Sequence, residues 1–198
     1  MTEVLGGLAR DFYRRSSLEV GPDLLNKLLV VGEGGRVGRI VEVEAYCGAD
    51  DPASHAFRGR TPRNATMFGP PGHLYVYFTY GMHFCANVVC GEEGEASAVL
   101  LRGLTPVAGV DEMRSARVNC RRDRDLCAGP ARLCLALGLD RTFDGADLVT
   151  GAQGVVVADD GMPPPTVAAV SGRIGLRVAL DRPWRFYVAG APGLSRPG

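Results

Sequence analysis

The sequence is poor in lysine, in histidine and in long apolar runs. Lys27 is the only lysine among the 22 basic residues, and there are three histidines. No apolar run approaches the roughly 18 residues that a membrane span requires. The first residues also lack the positive charge and the sustained apolar stretch of a signal peptide. We therefore expect neither membrane insertion nor export, and predict a cytoplasmic location.

Several catalytic and metal-binding motifs are missing as well. The sequence has no G-x-S-x-G elbow and no P-loop lysine motif, which argues against serine hydrolases and nucleoside triphosphatases. No C-x-x-C pair occurs, and no two histidines stand at metal-ligand spacing. We expect the cysteines to be reduced structural thiols; they are Cys47, Cys85, Cys90, Cys120, Cys127 and Cys134.

The composition is that of one ordinary globular domain. The chain has 198 residues, of which 46% are hydrophobic and 22% are charged, so residues 1–198 are predicted to form a single domain. Glycine and proline are frequent, with 27 and 13 residues, which favours many turns and short elements over a helical bundle. Runs of strand-like sequence among short helical segments predict an α+β fold with antiparallel strands and peripheral helices.

Alternation and turn residues place the elements. We predict helices at Leu8–Arg14, from Pro22-Asp23 with Leu24, Leu25, Leu28 and Leu29 on its apolar face, at Val110–Arg117, and from Pro130 through Leu137. Strands are predicted at 37–46, at 74–80 with HFCANVVC as a hairpin, at 98–104, and from Val167 through Tyr187.

The net charge of +0 gives no support to a nucleic-acid partner, yet the arginines are clustered. One cluster is Arg58, Arg60 and Arg63, and a longer one runs from Arg114 to Arg124. Guanidinium groups suit phosphate oxygens. The alternative is that these arginines form ordinary solvated faces and reflect nucleotide bias in the genome, and for the Arg114–Arg124 cluster both interpretations stay open.

Two carboxylates on one strand are the first candidates for chemistry. Glu42 and Glu44 lie on the same side of the strand, about 7 Å apart on strand geometry. Such a pair could separate its two pKa values. The alternatives are a solvent-facing strand with two ordinary glutamates, or a metal site that the two share with His55.

Aromatic residues are dense in the predicted hairpin. They are Tyr75, Tyr77, Phe78, Tyr80 and Phe84. Core packing is the usual role, and we expect it for Phe78 and Phe84. Tyr75 and Tyr77 share a strand face while Tyr80 falls at the turn, so a stacking platform with an exposed wedge is also consistent with the pattern.

The same segments resemble a known family. The stretch RIVEVEAYCGADDPASHAFRGRTPRNATMFGPPGHLYVYFTYGMHFCANVV, followed by AVLLRGLTP, resembles the alkyladenine (3-methyladenine) DNA glycosylases, and weaker similarity continues through LCAGPARLCLALGL, SGRIGLRV and PWRFYVAG. The resemblance covers Leu8 to Pro192. It implies a single domain around a curved antiparallel sheet, and an enzyme that flips a damaged purine out of double-stranded DNA and hydrolyses its N-glycosidic bond. It implies no metal and no cofactor; we expect a monomer near the nucleoid.

Roles follow from the resemblance residue by residue. Glu44 matches the general base, and Arg102 matches the arginine that helps to hold the attacking water. Tyr46 and Tyr77 match the aromatic residues that sandwich the flipped base, and His55 matches the histidine that completes the pocket.

Further matches concern selectivity and DNA contact. Asn87 matches the amide that disfavours guanine, and Tyr80 matches the residue that fills the gap in the duplex. The segments that resemble the DNA-contacting surface contain Thr61, Arg63, Met82, His83, Arg173 and Gly175.

Two other functions compete with this one. A non-catalytic nucleic-acid-binding module could use the same aromatic residues and arginines, but it would gain nothing from Glu44. A metallohydrolase would use Glu42, Glu44 and His55. If the protein is a glycosylase, it should lack lyase activity, because Lys27 and the α-amine of Met1 are poor candidates for a Schiff base.

Overall fold

One antiparallel sheet organises the molecule. The computed structural model describes residues 6–32 and 35–196, so Met1 lies outside the described residues. Hydrogen bonds connect the strands in the order β3-β4-β5-β2-β1-β6, and β8 joins β2 and β7. The strands are β1 (Leu28–Val31), β2 (Arg36–Cys47), β3 (Leu74–Thr79), β4 (His83–Cys90), β5 (Ser97–Ala108), β6 (Val155–Ala158), β7 (Ala169–Ser171) and β8 (Arg185–Tyr187).

The two longest strands, β2 and β5, form the centre of this sheet. Along its other edge β2 pairs first with β1 and then, from Glu42 to Glu44, with β8. The register between β2 and β5 shifts at three places, and such bulges bend a sheet and increase its twist. The result is a curled half-barrel, so the predicted α+β fold around a curved antiparallel sheet is confirmed.

Short helices cover the sheet. They are α1 (Arg10–Tyr13), α2 (Ser17–Leu24), α3 (Val110–Ala116) and α4 (Pro130–Leu137), and no described helix is long and apolar enough to cross a membrane. Proline opens α4 and Gly138, at φ 72°, ends it, which are the expected terminal residues. The main core joins the sheet to α2 and α4 through fully buried side chains that include Leu24, Leu29, Leu101, Leu104, Leu133 and Leu137.

The second predicted helix is wrong. The helix spans Ser17–Leu24 and therefore ends where the prediction starts it, while Leu28 and Leu29 belong to β1. The physical start signal is Ser16, whose backbone N–H and hydroxyl both donate to the Glu19 carboxylate in a capping box.

The strands predicted from Val167 through Tyr187 are present but occupy only part of that segment. Regular strand occurs at Ala169–Ser171 and Arg185–Tyr187, whereas the segment between them is irregular. Gly175 at φ 80° and Ala179 at φ 50° have backbone conformations that do not fit a strand. This irregular segment reaches the candidate site.

Candidate active site

The candidate site is built on a row of residues that lie side by side on four neighbouring strands. Glu44 on β2 lies opposite Leu100 on β5, Leu100 lies opposite Asn87 on β4, and Asn87 lies opposite Tyr75 on β3. Residues directly opposite in a sheet present their side chains on the same face. Alternation along each strand then adds Tyr46 and Tyr77 to that face.

A cleft of about 350 Å³ opens above this row. Its volume is at the small end of the roughly 300–1,000 Å³ that is usual for small-ligand sites. Its walls carry most of the predicted site residues, namely Tyr46, His55, Tyr77, Tyr80, Asn87, Arg102 and Gly175, together with Tyr75, Cys85 and Ile174. The cleft is therefore aromatic, with a few polar groups at its floor.

Glu44 lies under this floor with no exposed surface. Its carboxylate accepts hydrogen bonds from the Tyr46 hydroxyl at 2.9 Å and the Ile174 N–H at 2.6 Å, and Arg102 Nη1 is 3.3 Å away. All three partners line the cleft. Burial raises the pKa of Glu44 above its ordinary value, although Arg102 and the two hydrogen bonds oppose the increase.

A β-bulge aims Arg102 at this carboxylate. Glu42 pairs with Gly103 and Val43 pairs with Leu101, so Arg102 has no partner in the ladder between them. An unpaired bulge residue changes the direction of its side chain relative to a regular strand. The guanidinium of Arg102 reaches both Glu42 and Glu44 from this position.

The neighbouring carboxylate, Glu42, is enclosed in a different way. It also has no exposed surface, so a solvent-facing pair of glutamates is wrong. It accepts from Arg102 Nε at 3.1 Å, Arg185 Nε at 2.8 Å and the Ser195 hydroxyl at 2.7 Å. Burial alone would raise the pKa of Glu42, but the hydrogen bonds from Ser195 and Arg185 outweigh it and hold this pKa below its usual value.

Arg173, which was expected among the residues that contact DNA, is buried. Its side chain is fully buried, and Nη2 donates to Asp51 at 2.8 Å while Nη1 donates to the Ala45 carbonyl at 3.0 Å. The guanidinium lies 4.6 Å from the Tyr46 ring and 5.0 Å from the Trp184 ring. Arg173 thus packs against the ring of Tyr46. Asp51 supplies the carboxylate partner that a buried guanidinium needs.

His55 stands at the rim of the cleft against two tyrosines. Its Nδ1 is 3.2 Å from the Tyr75 hydroxyl, and its ring meets that of Tyr77 edge-on at 4.5 Å. Burial lowers the pKa of His55, and the positive charge of Arg63 lowers it further, which favours a neutral imidazole. The buried Asn64 amide holds the loop in place by donating to the His55 carbonyl at 2.9 Å.

Asn87 is buried at the floor of the cleft, whereas Tyr80 is exposed at its edge. The buried Asn87 amide donates to the Tyr75 carbonyl at 3.1 Å, which fixes its orientation at the floor. Tyr80 is 88% exposed at the tip of the β3–β4 hairpin. Tyr80 and Gly81 both have positive φ, at 52° and 67°, as in a type I′ turn.

The remaining predicted contact residues are exposed around the mouth of the cleft. They are Thr61, Arg63, Met82, His83 and Gly175. Arg63 stands 5.6 Å above the Tyr77 ring, and Met82 is 68% exposed beside Tyr80. The predicted core role of Phe78 is incomplete, because this side chain is 45% exposed on the same hairpin.

The Arg114–Arg124 cluster is largely paired within itself. Arg114 contacts Asp111 and Asp123, and Arg122 contacts Asp125. Arg117 donates to the carbonyls of Asp125 and Leu126. The ion pairs of Arg114 and Arg122 offset part of the positive charge that the pattern offered to phosphate groups.

The alternative metal site lacks a ligand set. Across residues 6–32 and 35–196, no three His, Cys, Asp or Glu side chains are grouped so that they could hold a metal ion. His55 binds Tyr75 rather than joining Glu42 and Glu44. All six cysteines are free thiols.

Some contributors to the site were missed in the sequence. Asp51 is a buried carboxylate whose partner Arg173 lies in another segment, and Asn64 is a buried amide that bonds within its own loop. The Ile174 contact uses a backbone N–H that any residue type except proline would supply. Asp51 and Asn64 fall in a loop rich in turn residues, where asparagine and aspartate are ordinary, so no local signal separates them from solvated neighbours.

Comparison with known proteins identifies the family of the chain. The family model described as methylpurine-DNA glycosylase matches residues 11–192. A protein of Burkholderia cenocepacia (strain HI2424) is 58% identical over 181 residues, which cover 91% of this chain and 87% of that protein. Relatives from Streptomyces avermitilis and Carboxydothermus hydrogenoformans are 48% and 47% identical, covering 95% and 91% of this chain and 90% and 94% of their own. All three are named "Putative 3-methyladenine DNA glycosylase".

These matches place the chain in the class of DNA glycosylases. Within that class, it belongs to the methylpurine-DNA glycosylase family.

Proposed function

We propose that this protein removes alkylated or deaminated purines from double-stranded DNA by flipping the base into the cleft and hydrolysing its N-glycosidic bond. The observation that carries the proposal is the buried Glu44 carboxylate, which touches three groups of the cleft floor. A module that only binds DNA has no use for a buried anion beneath its pocket, since phosphate groups and bases do not require one.

Glu44 is the general base in this proposal. An ionised carboxylate has about four lone-pair sites, and Glu44 uses two of them in hydrogen bonds from Tyr46 and Ile174, while Arg102 forms an ion pair with it at 3.3 Å. A remaining site accepts the proton of the attacking water. Cleavage of an N-glycosidic bond resembles glycoside hydrolysis, in which positive charge develops on the sugar, so the anion also stabilises the transition state.

Arg102 opposes the cost of ionising Glu44 in a buried site. Burial favours the protonated carboxyl, whereas a guanidinium 3.3 Å away favours the carboxylate. The same guanidinium lines the cleft, so it reaches the water that Glu44 activates. Tyr46 adds a hydroxyl that donates to the carboxylate, and its raised pKa keeps that hydroxyl protonated.

The aromatic walls bind the flipped base. Tyr46 and Tyr77 both line the cleft, and stacking on an aromatic ring contributes roughly 1–3 kcal/mol per base. His55 closes the rim through its contacts with Tyr75 and Tyr77. Asn87 at the floor discriminates against guanine by crowding its exocyclic amino group.

The exposed hairpin compensates for the loss of stacking in the DNA. Flipping a base costs a few kcal/mol, and it costs least for damaged or mispaired bases. Tyr80 enters the vacated position in the duplex. Thr61, Arg63, Met82, His83 and Gly175 surround it on the face that meets the DNA backbone.

The reaction stops at base release in this proposal. A strand-cutting lyase needs an amine that forms a Schiff base with the sugar. Lys27 lies between α2 and β1 rather than in a helix, its side chain is 9% exposed, and it pairs with Asp159 at 2.5 Å. The neighbouring strand β1 pairs with β2 only at Arg36–Arg39, several residues before Glu44 and Tyr46 on the same strand.

Base release from defined duplexes tests the proposal. Duplexes that each carry one lesion, 3-methyladenine, 7-methylguanine, hypoxanthine or ethenoadenine, are incubated with the protein in the presence of EDTA, and free base is measured. Glu44→Gln should lower the single-turnover rate by about 10²–10⁴-fold while lesion binding persists. Glu42→Gln is the matched control and should cost far less.

Three outcomes would contradict the proposal. Near-normal turnover by Glu44→Gln, or equal losses in both variants, would show that Glu44 is not the base. Loss of activity on chelation would favour a metal-dependent mechanism. Efficient covalent trapping with borohydride, or strand breaks without alkali, would show an amine mechanism. The monomeric state and the cytoplasmic location stay predictions from the sequence.

A further inference from the structure

The C-terminal segment Gly193–Arg196 contacts the candidate catalytic arginine from behind. The Ser195 hydroxyl donates to Glu42 Oε1 at 2.7 Å and accepts from Arg102 Nη2 at 3.3 Å, and the Ser195 N–H donates to Glu42 Oε2. Thus one residue near the end of the chain bridges a buried carboxylate and the guanidinium that reaches Glu44.

The three anchors of Arg102 determine its direction. Its guanidinium is a rigid planar fork. Nε is held by Glu42 at 3.1 Å and Nη2 is held by Ser195, so the plane is fixed before Nη1 meets Glu44 at 3.3 Å. Two of the three anchors, Glu42 and Ser195, are therefore separate from the candidate general base.

The segment is held closely against the sheet rather than lying loosely on it. A Cβ on Gly103 of β5 would lie 2.5 Å from the Gly193 carbonyl oxygen, and a Cβ on Gly193 would overlap the Leu104 carbonyl. Thr105 Oγ1 donates to the Pro192 carbonyl at 2.6 Å, and Arg185 Nη2 donates to the Arg196 carbonyl at 3.0 Å. Glycine at both crossing points permits this approach.

The charges of the two buried glutamates and the two arginines that contact them sum to zero. Glu42 and Glu44 have no exposed surface, and the side chains of Arg102 and Arg185 are 8% and 3% exposed. Two anions thus face two cations away from water. Glu42 stands between both guanidiniums, and without it Arg102 would be drawn to Glu44 alone and repelled by Arg185.

We propose that Glu42 and Ser195 are positioning residues, which hold Arg102 in the orientation that Glu44 and its water require. This rests on the proposed function. It assigns a role in catalysis to the end of the chain, some 90 residues from Arg102 in sequence.

The proposal makes a prediction about the pH dependence. The charged and titratable groups around Glu44 are Arg102, Tyr46, Glu42, Arg173 and Arg185. Arg102 lowers the pKa of Glu44, so a guanidinium that drifts away leaves this pKa higher. Because the ionised form is the base, the acid limb of the rate profile should then move to higher pH.

Ser195→Ala is the main test, because it changes no charge. The single-turnover rate of base release is measured at saturating protein across a pH series, together with lesion-duplex affinity and thermal unfolding. We expect a rate loss of roughly tenfold, below the about hundredfold that an ångström of misplacement can cause. The acid limb should shift to higher pH, while affinity and unfolding temperature stay close to those of the unmodified protein.

Two control variants separate positioning from general damage. Ser195→Thr keeps the hydroxyl and should restore both the rate and the acid limb. Ser115→Ala removes an exposed serine hydroxyl that donates to the Asp111 carbonyl on α3, and it should change neither.

The inference fails if Ser195→Ala keeps the normal rate and pH profile. It also fails if the rate falls only in proportion to affinity and unfolding temperature, with no shift of the acid limb, since that result indicates a structural role. In both cases, base release by the unmodified protein and the loss of that release in Glu44→Gln would still support the proposed function. Failure of this inference can therefore be told apart from failure of the proposed function.

Discussion

Replacing Tyr80 by asparagine should separate folding from DNA binding. Tyr80 is 88% exposed, so its ring contributes little to the core. Its φ of 52° lies in the left-handed region, where a bulky side chain is an outlier and asparagine is favoured. A strained residue at an exposed tip indicates a functional constraint.

The substitution should not lower the stability of the protein, but it should weaken DNA binding. A left-handed conformation costs a non-glycine residue roughly 1–2 kcal/mol, and asparagine relieves part of it. The unfolding temperature of Tyr80→Asn should therefore be unchanged or higher by up to about 4 °C. Loss of the ring removes about 1–3 kcal/mol of stacking on DNA, which corresponds to roughly 5- to 150-fold weaker binding of a flipped lesion duplex.

Three measurements check this reasoning. Thermal unfolding follows the folding effect, a titration with lesion duplex follows affinity, and a fluorescent base analogue beside the lesion follows the extrahelical population. Tyr80→Phe is the control, because it keeps the ring and should keep both affinity and flipping. An unchanged extrahelical population in Tyr80→Asn would refute the wedge, and a large loss of stability would refute the strain argument.

Three further predictions concern the support of the site. Asp51→Asn leaves the buried Arg173 guanidinium without its carboxylate, so the free energy of unfolding should fall by about 3–5 kcal/mol in a denaturant titration; no loss would contradict the importance of this pair. Gly48→Ala should also destabilise the protein, because its Cβ would overlap the Glu95 carbonyl at φ 55°; an unchanged unfolding midpoint would count against the backbone placement there. Base release should decline on acidification with a midpoint above the ordinary glutamate pKa of about 4.3, since the pKa of Glu44 is raised and only its ionised form acts; a midpoint at or below that value would contradict the burial argument.

The face of the sheet that carries the site was predictable from the sequence. Alternation puts Glu42 and Glu44 on one side of β2, and the same rule puts Tyr75 and Tyr77 together on β3. A tyrosine followed by glycine between two strand-like runs indicated the hairpin tip, which the structure has at Tyr80. These signals are local, and local signals survive in a single sequence.

The wrong helix shows that a local signal can also be misread. Proline is favoured in the first turn, and that rule suggested a start at Pro22. Ser16 and Glu19 supply a stronger signal, because their reciprocal hydrogen bonds satisfy the first N–H groups of the helix. Leu28 and Leu29 then pair as strand, since β1 is placed between β2 and β6.

The burial of the charged residues could not be predicted, because their partners are distant in the chain. Glu42 meets Arg185 and Ser195 from 143 and 153 residues away, and Asp51 meets Arg173 from 122 residues away. The bulge at Arg102 depends on a register between β2 and β5 that no single strand encodes. The family resemblance placed Arg173 in a segment similar to the DNA-contacting surface, and nothing local to that segment indicates its buried partner Asp51.

The same contacts explain why the two glutamates cannot exchange roles. Glu42 accepts four hydrogen bonds, from Arg102, Arg185 and both donors of Ser195, three of them on Oε1 and one on Oε2. These bonds outweigh the effect of burial and hold its pKa below the usual value, and of its three partners only Arg102 lines the cleft. Glu44 has fewer partners, each of which lines the cleft, and a pKa raised by burial. In the proposed mechanism the base must take up a proton during the reaction, and of these two buried carboxylates only Glu44 combines a raised pKa with partners that all line the cleft.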